Sequence, residues 1–444
     1  MSTRCSPCRT GRWRSTPWRR GRIVAERGLL AGVRVLESSL LEPGALGMTL
    51  AELGADVIKV EPPGGDYVRT MAWPIIEGVS LLHWHVNRGK RSVGIDLRTS
   101  AGVDLYLDLA ERSEVVIEAM RPGALARRGI TVERLRERNP ALVVCSVSGW
   151  GMTGPYRDIP AHGIGFDAWA GLAVPAVDDE GFVNLPPHTT VGVRVAPVWG
   201  ALAVCAALLR ARATGVGAHI DLAQSDVAAA TNWYAIEGTR AYERPATEVT
   251  GNPSDGGARR APGVAGMAGS VRYQYYRSLD GHVLLMASER EFWRNFCLAV
   301  GRSDLFEANP GERYADHARG NQALRRELQA IFETRTTAAW VRLGAEANCP
   351  IAAVNDAASI ATDPQFRARL PWSPAEESGA ELMPGPIRLV DEERVRLCAA
   401  PGAGEHTDEV LRSVLGMTGA QIADLRAAGI VDGPVPREEP GSGA

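Results

Sequence analysis

Lysine is almost absent from this chain. Of 49 basic residues in 444, only Lys59 and Lys90 are lysines, and the rest are arginines. The 52 acidic residues leave a formal net charge of −3, so the chain as a whole has neither the basic footprint of a nucleic-acid binder nor an acidic tail. No apolar run approaches the roughly 20 residues that cross a bilayer. "GALAVCAALL" (200–209) is among the longest, and Arg210 and Arg212 follow it; no membrane span is expected. Paired cysteines are also lacking. The seven cysteines, at 5, 8, 145, 205, 297, 349 and 398, are odd in number and scattered, a pattern of reduced thiols in a cytoplasmic protein. Only "CSPC" (Cys5–Cys8) has metal or redox spacing, and with no second pair or histidine couple nearby no metal site is expected. The GxGxxG, P-loop, GxSxG and HExxH signatures are all missing, which argues against nicotinamide enzymes, nucleotidases and the common hydrolases.

What is present is a globular chain, 45% apolar and long enough for two or three domains. Its first thirty residues, rich in Arg, Ser and Trp with Glu26 the only acid, read as a disordered or artefactual extension. From Gly32 onward short apolar strands alternate with helical patterns: "VRVLES", "GALGMTLAELG", "DVIKVEP", "RSVGIDL", "SAGVDLYLDLAERS", "EVVIEAM", "TVERLRERNP", "LVVCSVSGW". This alternation predicts an α/β fold with a doubly wound parallel sheet, ligands binding beyond the C-terminal ends of its strands. A long helix is expected from about Val198 to Ala213, and a hairpin turning at Asp280-Gly281 opens a smaller α/β unit. Between them, 247–270 is rich in Gly and Pro and reads as a loop or linker.

Candidate chemistry is dispersed. "RGKRSVGIDLR" gathers Arg88, Lys90, Arg91 and Arg98 around a strand, either a phosphate cradle or a solvated basic edge. "PPGGD" (62–66) reads as a turn with Arg69 close behind. "PAHGIGFDAWAGL" (160–172) places His162 and Asp167 in an apolar run whose glycines argue against a helix.

The order "GVRVLE…LAELGADVIKVEPPGGD…NRGKRSVGIDLRTSAG…RSEVVIEAMRPGALARRGI…NPALVVCSVSGWGMTGPY", resumed in "YYRSLDGHVLLMA" and "GEHTDEVLRSVLGMTGAQIADLRAAGI", closely resembles the family III CoA-transferases of CaiB/BaiF type. That superfamily also includes the α-methylacyl-CoA racemases. The resemblance implies a Rossmann-like large domain (31–230, rejoined by 346–444), a linker (231–270), a small domain (271–345), and an interlocked dimer, with a heterodimer of paralogues as the other option. It implies coenzyme A, as an acyl-CoA substrate, held by Ile95, Asp96, Leu97 and Arg98, by Ala119, Met120 and Arg121, and by Arg127. Leu41 and Glu42 lie where the family loop lines the thioester end.

Family transferases use an aspartate that attacks the thioester; the racemases use a His and an Asp on opposite faces of the α-carbon. In family register that aspartate falls on Val193, or on Gly192 if the gap is placed one residue earlier, and no Asp or Glu lies between Gly181 and Asp221. His162 takes the register of the racemase histidine and Glu289 that of a racemase glutamate contributed by the partner chain, while Asp167 lies a few residues beyond the loop's usual acid. Three readings follow: a CoA-transferase moving CoA between an acyl-CoA and a small carboxylic acid, a proton-transfer enzyme using His162, and a non-catalytic acyl-CoA-binding subunit.

Overall fold

The computed structural model describes residues 28–245, 247–249, 254–255, 258–259, 267–311 and 316–433. Residues 1–27, with the CSPC pair, lie outside it, as does most of the Gly/Pro-rich stretch. Residues 28–30 belong to the fold rather than to an extension: the Leu30 amide donates to the Leu53 carbonyl at 2.8 Å, and its side chain packs on the core.

Six strands build the main sheet: β1 (Arg34–Ser39), β2 (Asp56–Glu61), β3 (Lys90–Gly94), β4 (Val115–Ala119), β5 (Val143–Ser148) and β6 (Ala218–Ala223). Every pairing is parallel and the order is β3-β2-β1-β4-β5-β6. This is the doubly wound order of dinucleotide-binding folds, whose direction reverses between β1 and β4 and opens a crevice above their C-terminal ends.

Helices cover both faces, and side-chain alternation along the strands divides the core accordingly. Leu36, Ile58, Val93, Val116 and Val144 face α3 (Ser100–Glu111), α4 (Val132–Arg138) and the returning C-terminal helices. Val35, Val57, Val115 and Val143 face α1 (Ala45–Glu52) and a long helix, here α6 (Val191–Thr214). Between α1 and β3 runs α2 (Leu81–Asn87), and before α6 comes α5 (Gly163–Trp169).

Two of these helices differ from expectation. The glycines at 163 and 165 argued for a loop, yet α5 forms there. Gly163 is needed for close approach, since a Cβ on it would lie 2.9 Å from Val193 Cγ2, and Phe166 is buried with its ring edge against Gly149. Helix α6 begins seven residues earlier than expected and runs through Pro197, because its first turn is capped from another element. By length and composition α6 could span a bilayer, but half of its most apolar stretch is buried inside the protein. The buried stripe includes Ala196, Gly200, Val204, Leu208 and Ala211, whereas Val198, Leu202 and Leu209 are exposed.

The small sheet is antiparallel, with strands 273–277 and 282–286 joined at the expected hairpin, and takes a third strand, Ile351–Ala353, from beyond residue 345. Trp293, Phe296, Phe332 and Trp340 fill its core. The chain then returns to the edge of the large sheet. The His406 amide donates to the Ser92 carbonyl at 2.9 Å, Ile95 bridges Val431, and the Asp96 amide donates to the Ile430 carbonyl at 2.8 Å.

Candidate active site

At the switch point, β1 leads into a tight loop. Leu41 sits at φ 60°, ψ −152° and precedes a 3₁₀ turn, Glu42–Gly44. That backbone region is essentially reserved for glycine and costs on the order of 1–3 kcal/mol unless its surroundings over-determine it. Two buried ammonium groups do so. Lys59 Nζ donates to the Ser39 carbonyl and Lys90 Nζ to the Gly44 carbonyl, each at 2.8 Å. Lys90 also pairs with Glu37 at 2.5 Å, and Lys59 with Asp66 at 2.8 Å.

Burial works against the charge on Lys59, but the Asp66, Glu61 and Glu37 carboxylates outweigh it and raise its pKa; burial dominates at Lys90 and pulls it to about 8. The Glu37 carboxylate lies against the first turn of α1, where a Cβ on Gly47 would be 2.7 Å away. Dinucleotide folds place a phosphate at that helix end. Here a buried carboxylate of the protein occupies the region, which fits the absence of GxGxxG.

Beyond β3 and β4 lie the positions that the resemblance assigns to coenzyme A. Ile95 and Ala119 are buried, on opposite faces of the sheet, while Leu97 and Met120 are half-buried against the core that holds Ile95. Asp96 accepts from the Arg98 backbone amide and from its guanidinium (2.9, 2.8 and 2.8 Å), and Arg98 holds its carboxyl down at about 2. The charge of Arg128 also helps to lower the pKa of this carboxylate. Arg98 is thus internally neutralised, but Arg121 and Arg127 are exposed and have no carboxylate partner among the described residues; the Arg127 guanidinium donates to the Pro122 carbonyl, at 3.3 Å. Free guanidinium forks beside a half-buried apolar floor suit a phosphorylated nucleotide.

The opposite wall is the start of α6. Asp167, fully buried, accepts from the Val191 amide (2.6 Å), the Gly192 amide (2.8 Å) and His188 Nε2 (2.9 Å). It satisfies two of the helix's four unpaired N–H groups and orients an imidazole. Sequence reading missed His188; its only signal was its place in the polar run just before α6. Val193 is buried with Phe166, Ala170 and Ala228. Arg194 pairs with Glu42 at 3.2 Å, joining this wall to the loop after β1. His162 is exposed at the N-terminal end of α5, whose next residue, Gly163, packs on Val193.

His162, Asp167 and Val193 therefore sit together. Glu289, whose family counterpart is contributed by the partner chain, flanks the helix Arg290–Ala299 of the small domain and within the chain makes no hydrogen bond or ion pair to His162 or Asp167. No metal-binding group of His, Cys, Asp and Glu occurs among the described residues.

Residues 30–407 match the family model described as CoA-transferase family III. The chain belongs to that family. A succinate–glutarate CoA-transferase of Agrobacterium fabrum is 30% identical over 86% of this chain and 94% of its own. A succinyl-CoA–L-malate CoA-transferase beta subunit of Chloroflexus aurantiacus is 30% identical over 90% and 98%. The crystal structure of Rv3272 from Mycobacterium tuberculosis superposes with a TM-score of 0.70 at 26% identity, over 86% of this chain and 98% of that one.

Proposed function

We propose that this protein transfers coenzyme A between an acyl-CoA and a small carboxylic acid in the crevice between the loop after β1 and the start of α6. The carrying observation is the Arg194–Glu42 contact, which brings the family's thioester-end loop against the helix turn holding Val193. The CoA nucleotide would lie toward Asp96–Arg98 and Arg121–Arg127. With valine in the family's aspartate register, the protein forms no acyl bond there. The acceptor carboxylate would attack the thioester carbonyl directly, giving a mixed anhydride and CoA thiolate. The thiolate would then attack the acceptor carbonyl, releasing the first acid.

The exposed stripe Val198, Leu202 and Leu209 on α6 supports assembly with a second chain. We take this to be an interlocked homodimer; a paralogue is the other partner to test, since one relative is named as a beta subunit.

The decisive experiment is calorimetry with free CoA and succinyl-CoA, followed by mass-spectrometric detection of CoA passed to a panel of short carboxylic acids. Absence of CoA binding rejects the reading. Binding without transfer favours the non-catalytic subunit, and Val193→Asp should then create transfer. A second enzymatic reading, proton exchange at the α-carbon, draws on the exposed His162 beside Val193; it requires deuterium wash-in that His162→Ala abolishes.

A further inference from the structure

The two lysines of this chain stand under one loop. Lys90 Nζ forms an ion pair with Glu37 at 2.5 Å and donates to the Gly44 carbonyl at 2.8 Å and to Asn87 Oδ1 at 3.2 Å. Lys59 Nζ meets Asp66 and the Ser39 carbonyl, both at 2.8 Å. Lys59, Lys90 and Glu37 are all at most 2% exposed. The fit is close: a Cβ on Gly44 would lie 3.6 Å from Lys90 Nζ and 3.2 Å from Ser39 Oγ, and Ser39 Oγ itself donates to Glu37 at 2.8 Å.

A compact, rotatable ammonium fits such a site, and the longer planar guanidinium does not. In a chain that otherwise uses arginine for every such cation, lysine occurs only at these two positions. Their shared targets are the backbone carbonyls at the two ends of the Ser39–Gly44 loop, which carries Leu41 in its strained conformation.

We infer that Lys59 and Lys90 are positioning residues that clamp both ends of the Ser39–Gly44 loop, hold Leu41 in place, and thereby orient the thioester end of a bound acyl-CoA. The thioester part rests on the proposed function; the clamp does not. The role differs from that of a merely buried ion pair. A neutral swap of such a pair often leaves stability intact, but it also removes the grip on Gly44.

The test compares the full-length wild type with Glu37→Leu/Lys90→Met. Hydrogen exchange of the 39–44 amides is followed in unliganded protein, and affinities for free CoA and succinyl-CoA are measured by calorimetry. The expected result is roughly tenfold faster loop exchange, unchanged affinity for free CoA, and about tenfold weaker succinyl-CoA binding. Unchanged exchange overturns the clamp, and faster exchange with undiminished succinyl-CoA affinity overturns the orienting role. If the swap fails to fold, Lys59→Met/Asp66→Asn, which releases the Ser39 end of the same loop, is held to the same two readouts. Wild type that binds no CoA would defeat the proposed function alone, and the unliganded exchange comparison would still decide the clamp.

Discussion

Arg194, in the first turn of α6, and Glu42, in the loop after β1, meet at 3.2 Å and tie the start of that helix to the loop at the sheet's switch point. The arginine side chain is 60% exposed, so the pair is well screened. Arg194→Ala should lower unfolding free energy by less than about 1 kcal/mol, while changing succinyl-CoA binding measurably. A urea titration paired with calorimetry checks both.

Asp167 is the reverse case. Fully buried, it meets three donors, and Asp167→Ala would leave two helix amides and His188 unpaired. Destabilisation of about 2–4 kcal/mol is expected, read from the urea midpoint at constant m-value. His188→Asn should cost less, because it leaves the two amides capped.

Helix α5 offers a matched pair of substitutions. A Cβ on Gly165 meets nothing within 4 Å, so Gly165→Ala should stabilise by about 0.5–1 kcal/mol through helix propensity. Gly163→Ala meets Val193 at 2.9 Å and should destabilise, and Gly163→Ala/Val193→Ala should recover part of the loss. Melting temperatures of the four proteins decide it.

His83 is buried, and burial, reinforced by the Arg69 and Lys59 charges, pulls its pKa to about 3 despite the opposing pull of Asp66. The folded protein therefore holds it neutral where the unfolded chain, titrating near 6.5, binds a proton. Its contribution is fully present above pH 6.5 and is lost as pH falls toward 3. His83→Gln should flatten the pH dependence of unfolding free energy by up to about 1.4 kcal/mol per pH unit between roughly 6 and 4. Asn87, whose amide nitrogen lies 3.0 Å from Nδ1, provides a partner for the glutamine.

The parallel sheet was legible because each strand is a short apolar run and each crossover an amphipathic helix, so periodicity alone separates them. The hairpin at Asp280-Gly281 announced itself by its turn residues. Helix α5 was not legible: Gly163 is required by its close approach to Val193, a residue thirty positions away that no local rule considers. Nor was the capping of α6, since Asp167 precedes that helix by more than twenty residues, and without the cap Pro197 looks like a helix start. The candidate site's segments rest on resemblance alone. The pairing of Arg98 with Asp96, the orientation of His188 and the lysine clamp depend on which side chains meet in space, and single-sequence spacing does not encode that.

The return of the chain to β3 also governs when the protein can fold. Ser92, Ile95 and Asp96 in the first quarter take their backbone partners from His406, Ile430 and Val431 near the end. During synthesis the sheet edge must wait, uncovered, while the small domain forms. The two domains therefore mature in the opposite order to the one in which they begin, and a ribosome pausing in the last thirty residues would strand an almost complete protein with an open sheet edge.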